Sequence, residues 1–264
     1  MPKVSVIMGV YNIDDREILN KSIKSILNQS FSDFEFIICD DGSTDNTLEV
    51  VREICGEDKR VKIISNDVNK GLAYVLNKCL KIARGEYIAR MDADDESLLN
   101  RFEKQVDFLD SNESFGVVQS NANVFDENGI WGELVYNEIL DKKDFLKNNP
   151  LIHPCVMIRK SAYDLVENYR DIAKTVRVED YDLFFRMLEK GIKMYTIQEK
   201  LFNYRVDKTM ASRKKYKYRI NEFKIRCEGY RRIKMLPIGY IYTIKPLLIG
   251  LLPVDKIKRI IGRY

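Results

Sequence analysis

Through its first hundred residues the chain alternates short apolar runs with segments of helical period, and this alternation does most to narrow the folds open to it. Residues 4–8, 34–39, 61–65 and 86–91 read as buried strands. Between them, residues 14–28 place Leu19, Ile23, Ile26 and Leu27 on one helical face, residues 44–55 do the same with Leu48, Val51 and Cys55, and residues 72–83 supply a third helix. Repeated βα units imply parallel strands joined by crossovers, hence a doubly wound sheet with ligands expected at the carboxyl ends of its strands. A chain of 264 residues, 45% of them hydrophobic, can build one substantial core with an appended lobe.

Polar residues collect at those strand ends. Tyr11 and Asn12 follow the first strand, Asp40 and Asp41 the second, Asn66 and Asp67 the third, and the run Arg90-Met91-Asp92-Ala93-Asp94-Asp95 ends the fourth. Carboxylates clustered on a rigid strand tip repel one another and call for a divalent cation or hydrogen-bond donors; the alternative is a solvated turn capping a helix that begins near Ser97. No GxGxxG follows the first strand and no GxxxxGK[ST] occurs in the chain, so a nucleotide would be held by carboxylates and metal rather than by a glycine-rich phosphate loop.

The second half departs from strict alternation. Residues 98–111 read as a helix, 115–119 as a strand, and Glu127-Asn128-Gly129 as a turn between short strands. The single histidine, His153, precedes Pro154 and a strand over 155–158; it either contacts acceptor or donor phosphate or caps the strand. A helix over 161–169 follows, then Val178-Glu179-Asp180-Tyr181-Asp182 opens a helix stopped by Gly191, and 201–205 forms a further strand. Trp131 and Tyr136 either stack on a sugar ring or belong to a hairpin cluster.

Charge divides the chain. From Arg205 to Tyr264 there are 17 Lys/Arg against 4 Asp/Glu, whereas the preceding residues hold 27 against 36. A basic helix beyond Arg213, interleaved with Tyr, Phe, Ile and Leu, suits an anionic membrane surface, a nucleic acid, or simple solvation. Residues 235–254 are largely apolar, but Lys245, Pro237, Pro246 and Pro253 interrupt them, which argues against a straight membrane span and for a broken hairpin at the membrane interface or packed on the catalytic part. Five scattered cysteines without a CxxC pair read as free thiols in a reducing compartment. No secretory leader follows Met1, so the catalytic part is expected in the cytoplasm.

With these residues in view the chain resembles the family-2 nucleotide-sugar glycosyltransferases of the GT-A fold over residues 4–212. Five pieces occur in the family's order: Val4 to Tyr11-Asn12, Phe36 to Asp45 with Asp40-Asp41-Gly42-Ser43, Asn69-Lys70-Gly71-Leu72, Ala89 to Asp95, and Glu179-Asp180-Tyr181-Asp182. Arg90-Met91 before the acidic run, Gly71-Leu72-Ala73 with Leu76-Asn77, and His153-Pro154 are similar to transferases of bacterial exopolysaccharide, capsule and O-antigen synthesis, including the amylovoran-biosynthesis type. Two positions depart from the pattern: Gly9 stands where many relatives have Pro, and Asp207 where a His is common.

The resemblance implies a GT-A, Rossmann-like mixed sheet with a C-terminal basic helical extension. Residues 1–97 would form the nucleotide-binding half, 98–212 the acceptor half, and 213–264 the basic tail. It further implies a donor site of Val10, Tyr11, Asp40, Asn66, Asp92, Ala93, Asp94 and Arg205. Within it Asp40 accepts from the uracil N3–H or, alternatively, bonds its own turn. Asp94, with Asp207, would ligate Mn2+ or Mg2+ across the diphosphate, and Arg205 or Lys208 would contact phosphate. Asp180 would be the base of an inverting transfer, with Glu179 beside it, or the two would only complement a helix N-terminus. His153 would face the acceptor. The implied partners are a UDP-sugar, a lipid-diphosphate-linked glycan and the cytoplasmic face of the membrane, where the protein would sit peripherally; nucleic acid is not expected. A nucleotidyltransferase, or a non-catalytic scaffold that binds membrane or nucleic acid, are the competing readings.

Overall fold

The computed structural model describes residues 1–206 and 216–250. Four parallel strands make the first half of the sheet: β1 (Val4–Val10), β2 (Phe34–Asp40), β3 (Val61–Ser65) and β4 (Tyr87–Met91). They are linked by α1 (Arg16–Leu27), α2 (Thr47–Cys55) and α3 (Leu72–Ile82). These strands are largely apolar on both faces because helices cover both faces. Val4, Val6, Met8 and Val10 meet α1 and α2 in one core, while Ile7, Ile37 and Cys39 meet α3 in the other. Asp15 caps α1 by accepting from the backbone N–H groups of Glu17 and Ile18.

The second half supplies β5 (Glu96–Ser97), α4 (Arg101–Ser111), β6 (Phe115–Asp126), β7 (Gly129–Leu134), β8 (Ile139–Leu140), α5 (Asp144–Lys147), β9 (Met157–Arg159), α6 (Lys160–Leu165), α7 (Glu179–Glu189) and β10 (Lys193–Arg205). Among the described residues the strands form one mixed sheet in the order β3-β2-β1-β4-β9-β6-β10-β5, with β7 on β6 and β8 on β10. β9 runs antiparallel between β4 and β6, joining the two halves into a continuous sheet. The GT-A architecture read from the sequence is the one observed.

Several boundaries differ from the sequence reading. β6 continues past Gln119 to Asp126, because the polar run Gln119, Ser120 and Asn121 is buried and satisfied: the Gln119 amide donates to Pro150 O (2.9 Å) and accepts from Ile152 N (2.7 Å). β10 starts at Lys193 rather than at residue 201, its alternation broken by register shifts around Ile197 and Lys200. The strand expected over 155–158 begins only at Met157, because Cys155 closes a 3-10 turn that runs from His153. α6 stops at Leu165, where Glu167 and Asn168 take positive φ.

Beyond the catalytic sheet lie α8 (Tyr216–Arg232), α9 (Ile238–Thr243) and α10 (Lys245–Gly250). The basic residues of α8 divide between its faces: Arg219 and Arg226 are buried and Arg232 half-buried, while Lys217, Lys224 and Arg231 are exposed. Ile225, Tyr230 and Ile233 join the core that contains Phe184 and Phe185 of α7, Arg226 is buried, and Glu228 bridges Arg170 and Lys174. One face of this stretch therefore packs on the catalytic fold through Ile225, Tyr230 and Ile233, and the other stays exposed. Residues 207–215 and 251–264 of the expected tail lie outside the described residues. Four of the five cysteines are buried and all five are free.

Candidate active site

The carboxyl edge of β1 to β4 gathers the polar loops. Past β1, Val10 is buried and Tyr11 exposed, and Asn12 adopts φ 45°. The Asn12 backbone N–H donates to Ser43 Oγ (3.0 Å), and its side-chain Oδ1 accepts from Thr44 N (2.9 Å), so the loops after β1 and β2 form one wall. Gly9 is needed for α3 to approach β1: a Cβ there would lie 2.8 Å from Val75 Cγ1.

Asp40, buried at the end of β2, accepts from the N–H of Ser43 (3.1 Å) and from its hydroxyl (2.5 Å), the turn-bonding role weighed for it. Its neighbour Asp41 organises the next loop by accepting from Asn66 Nδ2 (2.8 Å), Lys70 N (2.9 Å) and Gly71 N (2.7 Å). Asn66 is thereby fixed at both ends, since its Oδ1 accepts from Lys78 Nζ at 2.7 Å.

Asp92, Asp94 and Asp95 present carboxylate oxygens within 4.8 Å of one another just past β4. Burial and the charge of Asp92 push the Asp94 carboxyl up to about 6. Burial and both neighbours push Asp95 well above the usual range. Asp95 Oδ1 accepts from Arg205 N (2.7 Å), whereas its Oδ2 is buried with no hydrogen-bond donor among the described residues. Arg205, expected on phosphate, donates from Nε to Asp94 O (3.2 Å) and lays its guanidinium 4.7 Å over the Phe125 ring. Ala93 is buried between the two aspartates.

Beneath this cluster lies Arg90, a fully buried guanidinium on β4 that ion-pairs with Asp92 Oδ1. Sequence reasoning used Arg90 only as a family marker; a charged residue inside an otherwise apolar strand was the available signal. Arg101, also buried, donates to the Arg90 carbonyl (3.0 Å) and so braces the strand end.

His153 is buried, with Nε2 2.7 Å from Tyr169 Oη and its ring edge-on to Phe184. Burial and the charge of Arg90 push its pKa well below 6.5, so the ring is neutral near pH 7. Tyr136 packs between the two cores, while Trp131 stands half exposed on β7.

Glu179 and Asp180 open α7. Burial and the adjacent Asp180 charge push Glu179 up to about 7. Asp180 Oδ2 accepts from Asn149 Nδ2 at 2.9 Å, a partner with no counterpart in the sequence reading. Tyr204 on β10 has its hydroxyl pKa raised by burial and by the charges of Asp95, Asp92, Asp94 and Asp180 together. The charges of the acidic cluster and of Asp180 are thus both felt at the Tyr204 hydroxyl, although about 90 residues separate them in sequence. Asp207 and Lys208 lie outside the described residues.

Residues 5–166 match the profile of Glycosyl transferase family 2, and EpsE of Bacillus subtilis (strain 168) is 40% identical over 259 residues, 98% of this chain and 92% of that protein. The chain belongs to glycosyl transferase family 2. A further member, the UDP-Glc:alpha-D-GlcNAc-diphosphoundecaprenol beta-1,3-glucosyltransferase WfaP of Escherichia coli, is 29% identical over 229 residues, 84% of each chain. S. aureus TarS 1-349 in complex with UDP-GlcNAc has the same fold, with a TM-score of 0.72 at 16% identity over 96% of this chain and 77% of that one. Membership of this family makes the chain a glycosyltransferase, in preference to the nucleotidyltransferase and non-catalytic readings.

Proposed function

We propose that this glycosyltransferase moves a hexose or N-acetylhexosamine from a UDP-sugar, with inversion at the anomeric carbon, onto a lipid-diphosphate-linked glycan during bacterial surface-polysaccharide synthesis. The observation that carries the proposal is the Asp92–Asp94–Asp95 cluster at the carboxyl edge of the sheet, with the Asp180 charge felt, like that of the cluster, at Tyr204. UDP-GlcNAc in TarS, and the UDP-Glc and diphosphoundecaprenol in the WfaP name, support the classes of donor and acceptor.

In this mechanism the backbone at Val10 and Tyr11 lines the base. Asp40 pairs with the uracil N3–H through a lone pair that Ser43 leaves unused, Asn66 shapes the same wall, and Asp92 and Ala93 border the ribose. The donor set fits a hard divalent cation: clustered carboxylates with raised pKa values and a buried oxygen lacking a donor. Asp94, with Asp92 beside it and Asp207 from the segment outside the described residues, would hold Mn2+ or Mg2+. A cation held there would offset the charge that develops on the departing diphosphate. Arg205, whose Nε donates to Asp94 O beside the cluster, would supply further positive charge toward the phosphates.

On the acceptor side, Asp180 removes the proton from the attacking hydroxyl as it approaches the anomeric carbon opposite the leaving UDP. Glu179, its carboxyl pushed up to about 7, lies beside the base, and the neutral His153, tied to Tyr169, forms the acceptor-side wall. An α-linked UDP-sugar then yields a β-linked product. Ile238, Tyr240 and Ile241 of α9, Ile244 between the helices and Leu248 of α10 are each exposed, which supports peripheral attachment at the cytoplasmic membrane face. No helix among the described residues is long and apolar enough to cross a membrane.

The deciding experiment measures thermal stability against UDP-, GDP-, CMP- and dTDP-sugars with and without Mn2+, then assigns the anomeric configuration of the product by NMR. A Mn2+-dependent shift with one UDP-sugar and a β-linked product is expected. An α-linked product, or no shift with any UDP-sugar, contradicts the proposal.

A further inference from the structure

The hairpin of β6 and β7 stands beside the acidic cluster, and no step of the mechanism uses it. β9 runs antiparallel to both β4 and β6, so β6 is parallel to β4 and its carboxyl end lies at the ligand edge. Across that end Arg205 of β10 pairs with Phe125 of β6, and Phe125 with Ile130 of β7. Residues paired in register share one face of a sheet. The Arg205 guanidinium lies over the Phe125 ring while its Nε donates to Asp94 O. Ile130 is thus two strand spacings, about 10 Å, from the residue that touches the cluster.

A bulge decides which way the next side chain points. Val124 pairs with Gly132 and Phe125 with Ile130, so Trp131 is the extra residue on β7. Gly132 lies on the Val124 face, where a Cβ would stand 3.7 Å from Val124 Cβ. Its neighbour Trp131 therefore takes the opposite face, that of Phe125 and Ile130. A regular strand would set Ile130 and Trp131 on opposite faces; the bulge sets both on the one that leads to Asp94. Ile130 is 63% exposed and Trp131 45%.

Planar polar groups continue the same face. Asn123, two residues before Phe125, pairs with Asn203, and Asn203 with Glu96. Asn123 Nδ2 donates to Asn203 Oδ1 (2.9 Å) and Asn203 Nδ2 to Glu96 Oε2 (3.4 Å), and all three side chains are half-buried. An indole ring covers the C–H face of a pyranose, and amides and carboxylates bond its hydroxyls. A stable protein partner needs about 800 Å2 on each side, far more than two apolar side chains beside a row of amides and carboxylates supply.

We propose that the bulged strand β7 is a subsite for the acceptor glycan, in which Trp131 stacks on a pyranose ring other than the one that receives the new sugar. The proposal rests on the reading of the acceptor as a glycan and is independent of which residue is the base. It accounts for two large apolar side chains held in solvent on the face that carries Arg205.

Trp131 is the one tryptophan of the chain, so its fluorescence reads this subsite alone. The full chain is titrated with a graded series of β-linked oligosaccharides of glucose and of N-acetylglucosamine, without donor and again with Mn2+ and UDP. The longer oligosaccharides should move the emission saturably to shorter wavelength as the indole leaves water, whereas Mn2+ and UDP alone should not. In UDP release from UDP-glucose or UDP-N-acetylglucosamine, Trp131→Ala should raise KM for oligosaccharide acceptors about tenfold, with kcat and donor KM within about twofold. KM for GlcNAc-diphospho-alkyl, which carries a single sugar, should change less than about twofold. Trp131→Phe keeps an aromatic face and should restore most of the affinity, and the Mn2+–UDP thermal shift should persist in both variants.

Emission unmoved by every oligosaccharide, or an oligosaccharide KM that Trp131→Ala leaves in place, overturns the subsite. So does emission that shifts with protein concentration in step with a dimer that Trp131→Ala dissolves, which assigns the patch to a second copy of the chain. A wild-type protein that binds oligosaccharide at Trp131 but shows no UDP thermal shift counts against the donor reading and leaves the subsite standing.

Discussion

Replacing Arg90 with Met should make the metal-free protein less stable and its response to Mn2+ larger. Arg90 is fully buried, and its guanidinium pairs with Asp92 Oδ1. Removing one partner of a buried ion pair costs about 3–5 kcal/mol. The Asp92 side chain remains 34% exposed, so water takes up part of the stranded charge, and Met refills part of the Arg volume. The net loss should therefore be about 2–3 kcal/mol. At roughly 2–4 °C per kcal/mol for a chain of this size, Tm falls by about 5–10 °C. Asp92 then faces Asp94 and Asp95 without its counter-charge, and all three carboxylates lie within 4.8 Å. A cation must compensate more charge than before. In melts at pH 7.5 with UDP present, the increment between EDTA and saturating Mn2+ should exceed that of wild type by a few °C, on the order of 1 kcal/mol. A variant with lowered Tm but an unchanged or smaller Mn2+ increment would refute the argument that Arg90 balances the charge of this cluster.

Asp94→Ala should abolish the Mn2+-dependent part of UDP binding in a calorimetric titration while leaving the fold intact; retained metal dependence would move the principal ligand elsewhere. Burial alone would raise the pKa of Glu35, but Lys62, Arg84 and Ser5 hold this buried carboxyl at about 2 against 4.5 unperturbed. A depressed folded-state pKa contributes stability that is full above pH 4.5 and lost as pH falls toward 2, so Glu35→Gln should cost about 3 kcal/mol at pH 7. Urea melts should show that gap closing below pH 4.5, and a pH-independent gap contradicts the assignment. Gly229→Ala would place a Cβ 2.4 Å from the Phe185 ring and should destabilise by about 1–3 kcal/mol; a neutral effect would mean that α7 and α8 can part. Because α8 is part of the core, membrane attachment is better tested by Ile241→Glu with Ile244→Glu than by truncation. Co-sedimentation with anionic liposomes should fall while Tm holds, and unchanged partitioning sinks the membrane proposal.

The parallel half of the sheet and its edge of functional loops are legible in the sequence because strands covered on both faces must be apolar throughout, while the residues that follow them face the ligand and are polar. The extents of Val4–Val10, Phe34–Asp40 and Tyr87–Met91 follow closely from those runs, whereas their register is set by the fold. β6 and β10 are only partly legible. Their polar stretches carry no burial signal, and partners from distant segments, such as Pro150 and Ile152 for Gln119, make that burial tolerable.

The acidic run and Glu179-Asp180 are each visible as motifs, but that the charges of the run and of Asp180 are both felt at Tyr204 is a property of the fold. So is the balance of charge within the site. One buried guanidinium from β4 sits under the acidic cluster, and an amide from an irregular loop donates to Asp180. The basic tail is the clearest case of the difference. Composition established its charge, yet whether a positive charge meets solvent, lipid or the protein's own carbonyls and carboxylates depends on which groups the fold brings within a few ångströms. For Arg226 and Arg232 those groups are Leu146, Lys147, Glu189, Glu222 and Glu228. Local sequence thus determined the elements and the chemistry they carry. The pairing of charges and donors was decided by tertiary structure, because electrostatic and hydrogen-bond partners act over short distances in space without regard to separation along the chain.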